Sequence, residues 1–200
     1  MLRRFGSGKK ASTSFRRSAE EGDVALLSRV VAGDLQAFEA LYRIYHPRLD
    51  RFLSLMTARR TVVEEALNDT MLVVWRRSET YNRQSKVSTW IFAIAYRTAL
   101  KALRGVDDSV EPGMADELAS EESGPEQQLI ADQTRSAVLS ALKALSPEQR
   151  SVLVLTYFHD LPYAEIARIV DCPVDTVKTR VFHGRRRLRA LLQDDAGDRP

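Results

Sequence analysis

Asp171–Leu192 reads DCPVDTVKTRVFHGRRRLRALL, and this stretch decides the architecture of the C-terminal part of the chain. A short turn, Asp171-Cys172-Pro173, separates the helical pattern YAEIARIV from a strongly basic helix. Pro173 suits the start of that second helix, where its missing N–H would be unpaired anyway. Two helices meeting at a steep angle need a small residue at the approach, and Ala167 supplies it. They also need facing apolar residues: Ile166 and Val170 on the first, Val177 and Val181 on the second. Cys172 is expected to plug the corner as a small apolar side chain. Asp171 stands where many such turns use Gly, and Asp tolerates unusual backbone angles better than most residues. The pattern predicts a helix-turn-helix.

With Val177, Val181, Leu188 and Leu191 inward, the outer face of the second helix offers Thr176, Lys178, Thr179, Phe182, His183 and Arg186. In such a motif the N-terminal part of the second helix meets base edges, and flanking cations meet phosphates. Lys178, Thr179, Phe182 and His183 are expected near bases, with Phe182 placed to pack on a thymine methyl. Arg180, Arg185, Arg186, Arg187 and Arg189 are expected mostly to hold the backbone. Alone, RRRLR reads equally well as a solvated face whose cations suit a helix C-terminus. The turn, the small residue and the registered apolar pairs favour DNA.

The whole chain has 200 residues and a formal net charge of only +3, so the distribution of charge is more informative than its sum. No Lys or Arg occurs from Gly105 to Thr134, a span holding nine Asp or Glu residues, whereas both ends are basic. Such asymmetry points to polyanion contacts in some places and a basic surface in another. Cys172 is the sole cysteine, so no intramolecular disulfide forms, as suits a reducing compartment. His46, His159 and His183 are scattered without a Cys/His cluster; neither a metal site nor a cofactor is expected. No apolar run approaches the roughly 20 residues of a membrane helix, so membrane insertion is not expected. The basic, Ser/Gly-rich start lacks the hydrophobic centre of a secretory signal, and a cytoplasmic location is expected.

Apolar spacing predicts an all-α fold of two small helical domains joined by an acidic flexible linker. The expected boundaries are a disordered basic tail (1–18), a first helical domain (19–104), the linker (105–124), the helix-turn-helix domain (125–192) and a tail (193–200). In the first domain Phe38, Leu41, Ile44 or Tyr45, Leu49, Phe52 and Leu53 form a helical stripe. Pro47 is expected to kink that helix or end it after His46. Val62–Trp75 turns Val63, Ala66, Leu67, Leu72, Val73 and Val74 inward. YNRQSKVS reads as a loop, with Ser88 or Thr89 capping the next helix. On that helix Ile91, Ile94, Ala95 and Leu103 form the core face, while Trp90, Phe92 and Tyr96 add aromatic surface. Ser146-Pro147-Glu148 is a helix start. The interleaving of Tyr81, Trp90, Phe92 and Tyr96 with Arg83, Lys86, Arg97, Lys101 and Arg104 suits stacking on bases freed from a duplex. Asn82, Gln84 or Ser85 would hold a flipped base. Aromatics on a helix are more often core, so this pattern is weak by itself.

Taken together, GDLQAFEALYRIYHPRL, VVEEALNDTMLVVWRR, STWIFAIAYRTALKALR and the block Leu145–Leu192 resemble the sigma factors of bacterial RNA polymerase, specifically the extracytoplasmic-function group. The resemblance implies one domain that binds core RNA polymerase and melts the −10 promoter element, and another that reads the −35 element. By position, Glu65, Asn68, Asp69, Leu72 and Trp75 would dock on the polymerase clamp. Asn82, Ser85, Lys86, Trp90, Arg97 and Lys101 would engage the −10 element. Thr176, Lys178, Thr179, Arg180, Phe182, His183 and Arg186 would engage the −35 element. Asn68 and Asp69 stand where the family often has Gln and Glu, and Arg97 and Lys101 where many members have Asn and Asp. The family also implies an anti-sigma factor as a partner. A linker of about 20 residues reaches ~70 Å, against ~68 Å for about 20 base pairs, so both elements lie within its span. Its acidity would suit a basic nucleic-acid channel of the polymerase.

The sequence contains no phosphate-binding Gly loop and no nucleophile–base pairing, and an enzyme is not expected. A promoter-recognition subunit is the leading reading. An ordinary helix-turn-helix regulator working without polymerase, and an all-helical adaptor with no DNA role, are its rivals.

Overall fold

A computed structural model describes residues 8–106 and 136–197. Among them every regular element is helical. The chain forms α1 (Gly8–Val31), α2 (Leu35–Met56), α3 (Arg60–Arg77), a 3-10 turn (Ser78–Thr80) and α4 (Val87–Val106). After the acidic segment come α5, described over residues 136–143, then α6 (Pro147–Tyr157), α7 (Tyr163–Ile169) and α8 (Val174–Gly197). The expected linker falls almost wholly outside the described residues. The backbone of residues 8–18, expected as a disordered tail, forms the first turns of α1.

Helix starts follow local chemistry. Asp34 caps α2 by accepting from the N–H groups of Gln36 and Ala37, and its carboxyl is held below the usual range by those bonds and by Arg29. Ser146 caps α6, accepting from Gln149 N–H, with Pro147 at the first helical position. The cap expected from Ser88 or Thr89 does not form. α4 starts earlier, at Val87, and the N–H of Val87 donates to the carboxylate of Glu20, 67 residues away on α1.

Pro47 neither ends α2 nor breaks it. It sits on the exposed side of the helix, as does Arg43, the residue four positions earlier whose carbonyl loses its N–H partner to the proline. Tyr45, not Ile44, enters the core of this helix: Tyr45 is fully buried and Ile44 is exposed. Leu72, expected inward, is also exposed, and Thr70 and Met71 take its place beneath α3. Phe92 and Tyr96 are core residues rather than surface aromatics. Phe92 packs against Phe52 of α2 and His159, and α7 also packs on α4, which turns that aromatic face inward.

The two helical groups pack against each other. Phe52 of α2 and Phe92 of α4 hold the imidazole of His159 edge-on, with ring centroids 6.1 and 5.0 Å away. Lys86 pairs with Glu165 of α7, and Thr89 donates to the same carboxylate. Arg150 is buried, and no carboxylate among the described residues pairs with it. Its guanidinium donates to the carbonyls of Leu142, Lys143 and Leu145 and to Met56 at the end of α2. One cation thereby closes the C-terminal ends of two helices from different groups.

Candidate nucleic-acid and polymerase-binding surfaces

The helix-turn-helix forms as its sequence predicts. Ile166, Ala167, Val170, Val177 and Val181 are all buried where α7 meets α8. Asp171 adopts φ 51°, the left-handed conformation that its position in the turn demands. A feature missed in the sequence is Gly184. A Cβ there would stand 3.1 Å from Leu153 Cδ1, so Gly184 lets α8 cross α6 closely. An isolated Gly inside a basic helix was the available signal.

α8 gathers Lys178, Thr179, Phe182, His183 and Arg186 on one exposed side. Phe182 is 59% exposed although it is a large aromatic, and the His183 ring meets it edge-on at 5.3 Å. Lys178 pairs with Asp175 at 2.9 Å, and Thr179 donates its hydroxyl to the Asp175 carbonyl at 2.9 Å. Thr176 is half-buried at the margin of this face. Arg180 departs from it: half-buried, it turns toward the Cys172 sulfur at 3.8 Å. The helical period places residue 180 away from Lys178 and Phe182, on the flank next to the core stripe.

The loop after α3 is held from within. Tyr81 donates its hydroxyl to the Ser85 carbonyl at 2.7 Å, and the N–H of Gln84 donates to Asn82 Oδ1 at 3.1 Å. Arg83 between them has φ 60°. Asn82 is exposed and Ser85 half-buried. The Trp90 ring lies 5.7 Å from Tyr81, joining the loop to a groove of about 510 Å³ between α3 and α4. Arg97 and Lys101 line that groove, together with Arg77 and Asp69. Trp90, Arg97 and Lys101 thus share one surface, whereas Lys86 is engaged by α7.

The neighbouring side of α3 is apolar. Asn68, Leu72 and Trp75 join Leu35, Phe38 and Tyr42 along a second groove of about 300 Å³. Phe38 meets Trp75 edge-on at 5.1 Å. Leu35, 68% exposed, was missed in the sequence: it lies three residues before Phe38 and extends the apolar stripe of α2 by one turn. Asp69 stands on the basic-groove side instead, and Glu65 is exposed and lines neither groove. Among the described residues no three acid, His or Cys side chains converge as a metal site, and no helix is long and apolar enough to cross a membrane.

Two family models match the chain in order: "Sigma-70 region 2" over residues 41–107 and "Sigma-70, region 4" over residues 135–188. The chain is similar to the ECF RNA polymerase sigma-E factor of Haemophilus influenzae, at 26% identity over 86% of this chain and 95% of that protein. It is 28% identical to the sigma-E factor of Escherichia coli K12, over 86% of this chain and 94% of that protein. Among solved structures, CnrH in complex with the cytosolic domain of CnrY shares the fold with a TM-score of 0.67, at 21% identity over 87% of this chain and 99% of that chain. The sigma factor RpoE bound to the anti-sigma factor NepR from Bartonella quintana aligns with a TM-score of 0.62, at 25% identity over 80% of this chain and 98% of that chain.

Proposed function

Because the chain belongs to the sigma-70 family, in its extracytoplasmic-function group, we infer that it binds core RNA polymerase and directs promoter-specific initiation. The observation that carries this reading is the order of the two matches: region 2 precedes region 4, and the latter covers the helix-turn-helix. A stand-alone regulator would have no need for region 2. The protein works as an initiation factor, not as an enzyme.

The assignments within the chain are ours. Region 2 is residues 19–104, region 4 is 125–192, and 105–124 is the tether between them. Trp75, Leu72 and Asn68, set in the apolar groove, are proposed to take a helix of the polymerase clamp, with Asp69 and Glu65 proposed to meet the clamp from outside that groove. Asn82, Ser85, Lys86 and Trp90 are proposed to capture bases of the −10 element, with Arg97 and Lys101 following the strand. Lys178, Thr179, Phe182 and His183 are proposed to read the −35 element, with Arg186 on phosphate. Thr176 and Arg180 flank this face, and Arg180 reaches the backbone only after leaving Cys172. Two elements separated by about 20 base pairs span ~68 Å, so the Lys86–Glu165, Arg150 and His159 contacts part when both are bound. An anti-sigma factor is a further partner, in keeping with the RpoE–NepR complex.

Transcription in vitro with purified core polymerase tests the reading. Holoenzyme formed with this chain should initiate at discrete starts that core polymerase alone ignores. Absence of any promoter-specific start would remove the assignment.

A further inference from the structure

The start of α4 lacks a local cap. Lys86 occupies the cap position, because its carbonyl accepts from Trp90 N–H at 3.0 Å, but its side chain has no acceptor. The Ser85 hydroxyl faces the Lys86 carbonyl instead. The Val87 side chain is fully buried, and the N–H of Val87 donates to Glu20 Oε1 at 2.7 Å. A carboxylate beside a surface meant for phosphates works against DNA binding unless another group uses its charge. Here it faces the positive end of a helix.

Glu20 is itself placed by the core. Asp23, Leu27 and Val30 follow it along one face of α1, and Leu27 and Val30 are buried. Asp23 accepts the hydroxyl of the fully buried Tyr45. These contacts all lie within region 2, so they persist when α7 releases Lys86. Glu165, by contrast, leaves with region 4.

We propose that Glu20 is a positioning residue for promoter melting: from α1 it holds the first turn of α4, and so sets Lys86 and Trp90 in the geometry that captures unpaired −10 bases. The proposal rests on the reading of Asn82–Lys86 and Trp90 as the −10 site. Tyr81 fixes the loop from its entry through the Ser85 carbonyl, and Glu20 fixes it from its exit. A loop held at both ends loses less freedom when a base enters.

The test uses the full chain with core polymerase and a promoter carrying 2-aminopurine in the −10 element. Glu20→Ala should slow promoter opening about tenfold, the scale of one lost helix cap. Its affinity for core and for upstream-element duplex should stay within about twofold. Glu20→Gln, which keeps an acceptor oxygen, should recover most of the rate. Opening at the normal rate in Glu20→Ala would overturn the proposal. So would a loss that is matched by lost core binding or that Glu20→Gln fails to rescue, since either would make Glu20 a residue of folding alone. Trp90→Ala is the separate check on the site: normal opening there would overturn the −10 assignment itself. Impaired Trp90→Ala with normal Glu20→Ala would overturn only the role of Glu20.

Discussion

Arg150 is the most deeply buried charged residue among the described residues. It is 8% exposed, and burial pushes its guanidinium below the usual arginine range. Among the described residues no anion offsets this; four backbone carbonyls do, across two helix ends. Arg150→Ala would strand those carbonyls and should cost roughly 2–4 kcal/mol in denaturant unfolding. Arg150→Lys should recover little, because one ammonium cannot span the same four acceptors. Phe182 is the opposite case. It contributes little to the core, so Phe182→Ala should leave stability within about 0.5 kcal/mol. It should weaken binding to the upstream element by about 1–3 kcal/mol, as read by competition among mutated duplexes. An unchanged ranking of those duplexes would remove Phe182 from the base-reading face.

At the scale of elements, the crossing of α6 and α8 depends on an absent side chain. Leu153 is buried, so its Cδ1 has little room to retreat from a Cβ at Gly184. Gly184→Val should therefore destabilise by about 1–3 kcal/mol through overpacking, visible as a lower thermal midpoint. The same change should tilt α8 and weaken duplex binding, although residue 184 faces away from Lys178 and Phe182. The turn before α8 makes a second demand. Asp171→Gly should be neutral or stabilising at φ 51°, whereas Asp171→Val should be destabilising. This turn was legible in the sequence because Asp, Cys and Pro each suit one of its local constraints. The cap of α4 was not legible. Ser88 and Thr89 look like caps, but the true one comes from α1, and no local pattern reports a partner 67 residues away.

Over the whole molecule, His159 sits where the two helical groups meet. Its Nε2 is buried with no hydrogen-bond partner among the described residues, and its pKa is lowered from 6.5 to about 4. Burial is the main cause, with Arg48 and Arg51 adding repulsion and Asp160 opposing them. The packed arrangement holds His159 neutral, whereas the separated or unfolded chain protonates it near 6.5. Packing is therefore fully favourable above pH 6.5 and weakens as pH falls toward about 4. The loss should be on the order of 1–2 kcal/mol after discounting for partial exposure. Glu20 and Asp23 act in the other direction: burial raises both, so acid favours their folded state. Their contribution is common to wild type and His159→Leu. Subtracting the two pH profiles of the denaturant midpoint should leave a slope confined to about pH 4–6.5; parallel profiles would show that His159 does not titrate at this contact.

Local pattern alone determined the helical class, the helix-turn-helix, its apolar contacts and the exposed basic face of α8. These depend on residues a few positions apart, whose period and turn chemistry are written along the chain. Tertiary structure decided which aromatics are surface and which are core, because burial of Phe92 and Tyr96 depends on helices distant in sequence. It likewise decided that Pro47 remains inside α2, that Arg180 turns toward Cys172, and that Glu20 and Arg150 close helix ends belonging to other parts of the chain. Glu20 and Arg150 each satisfy backbone groups brought near from distant parts of the chain, and such partners leave no periodic trace.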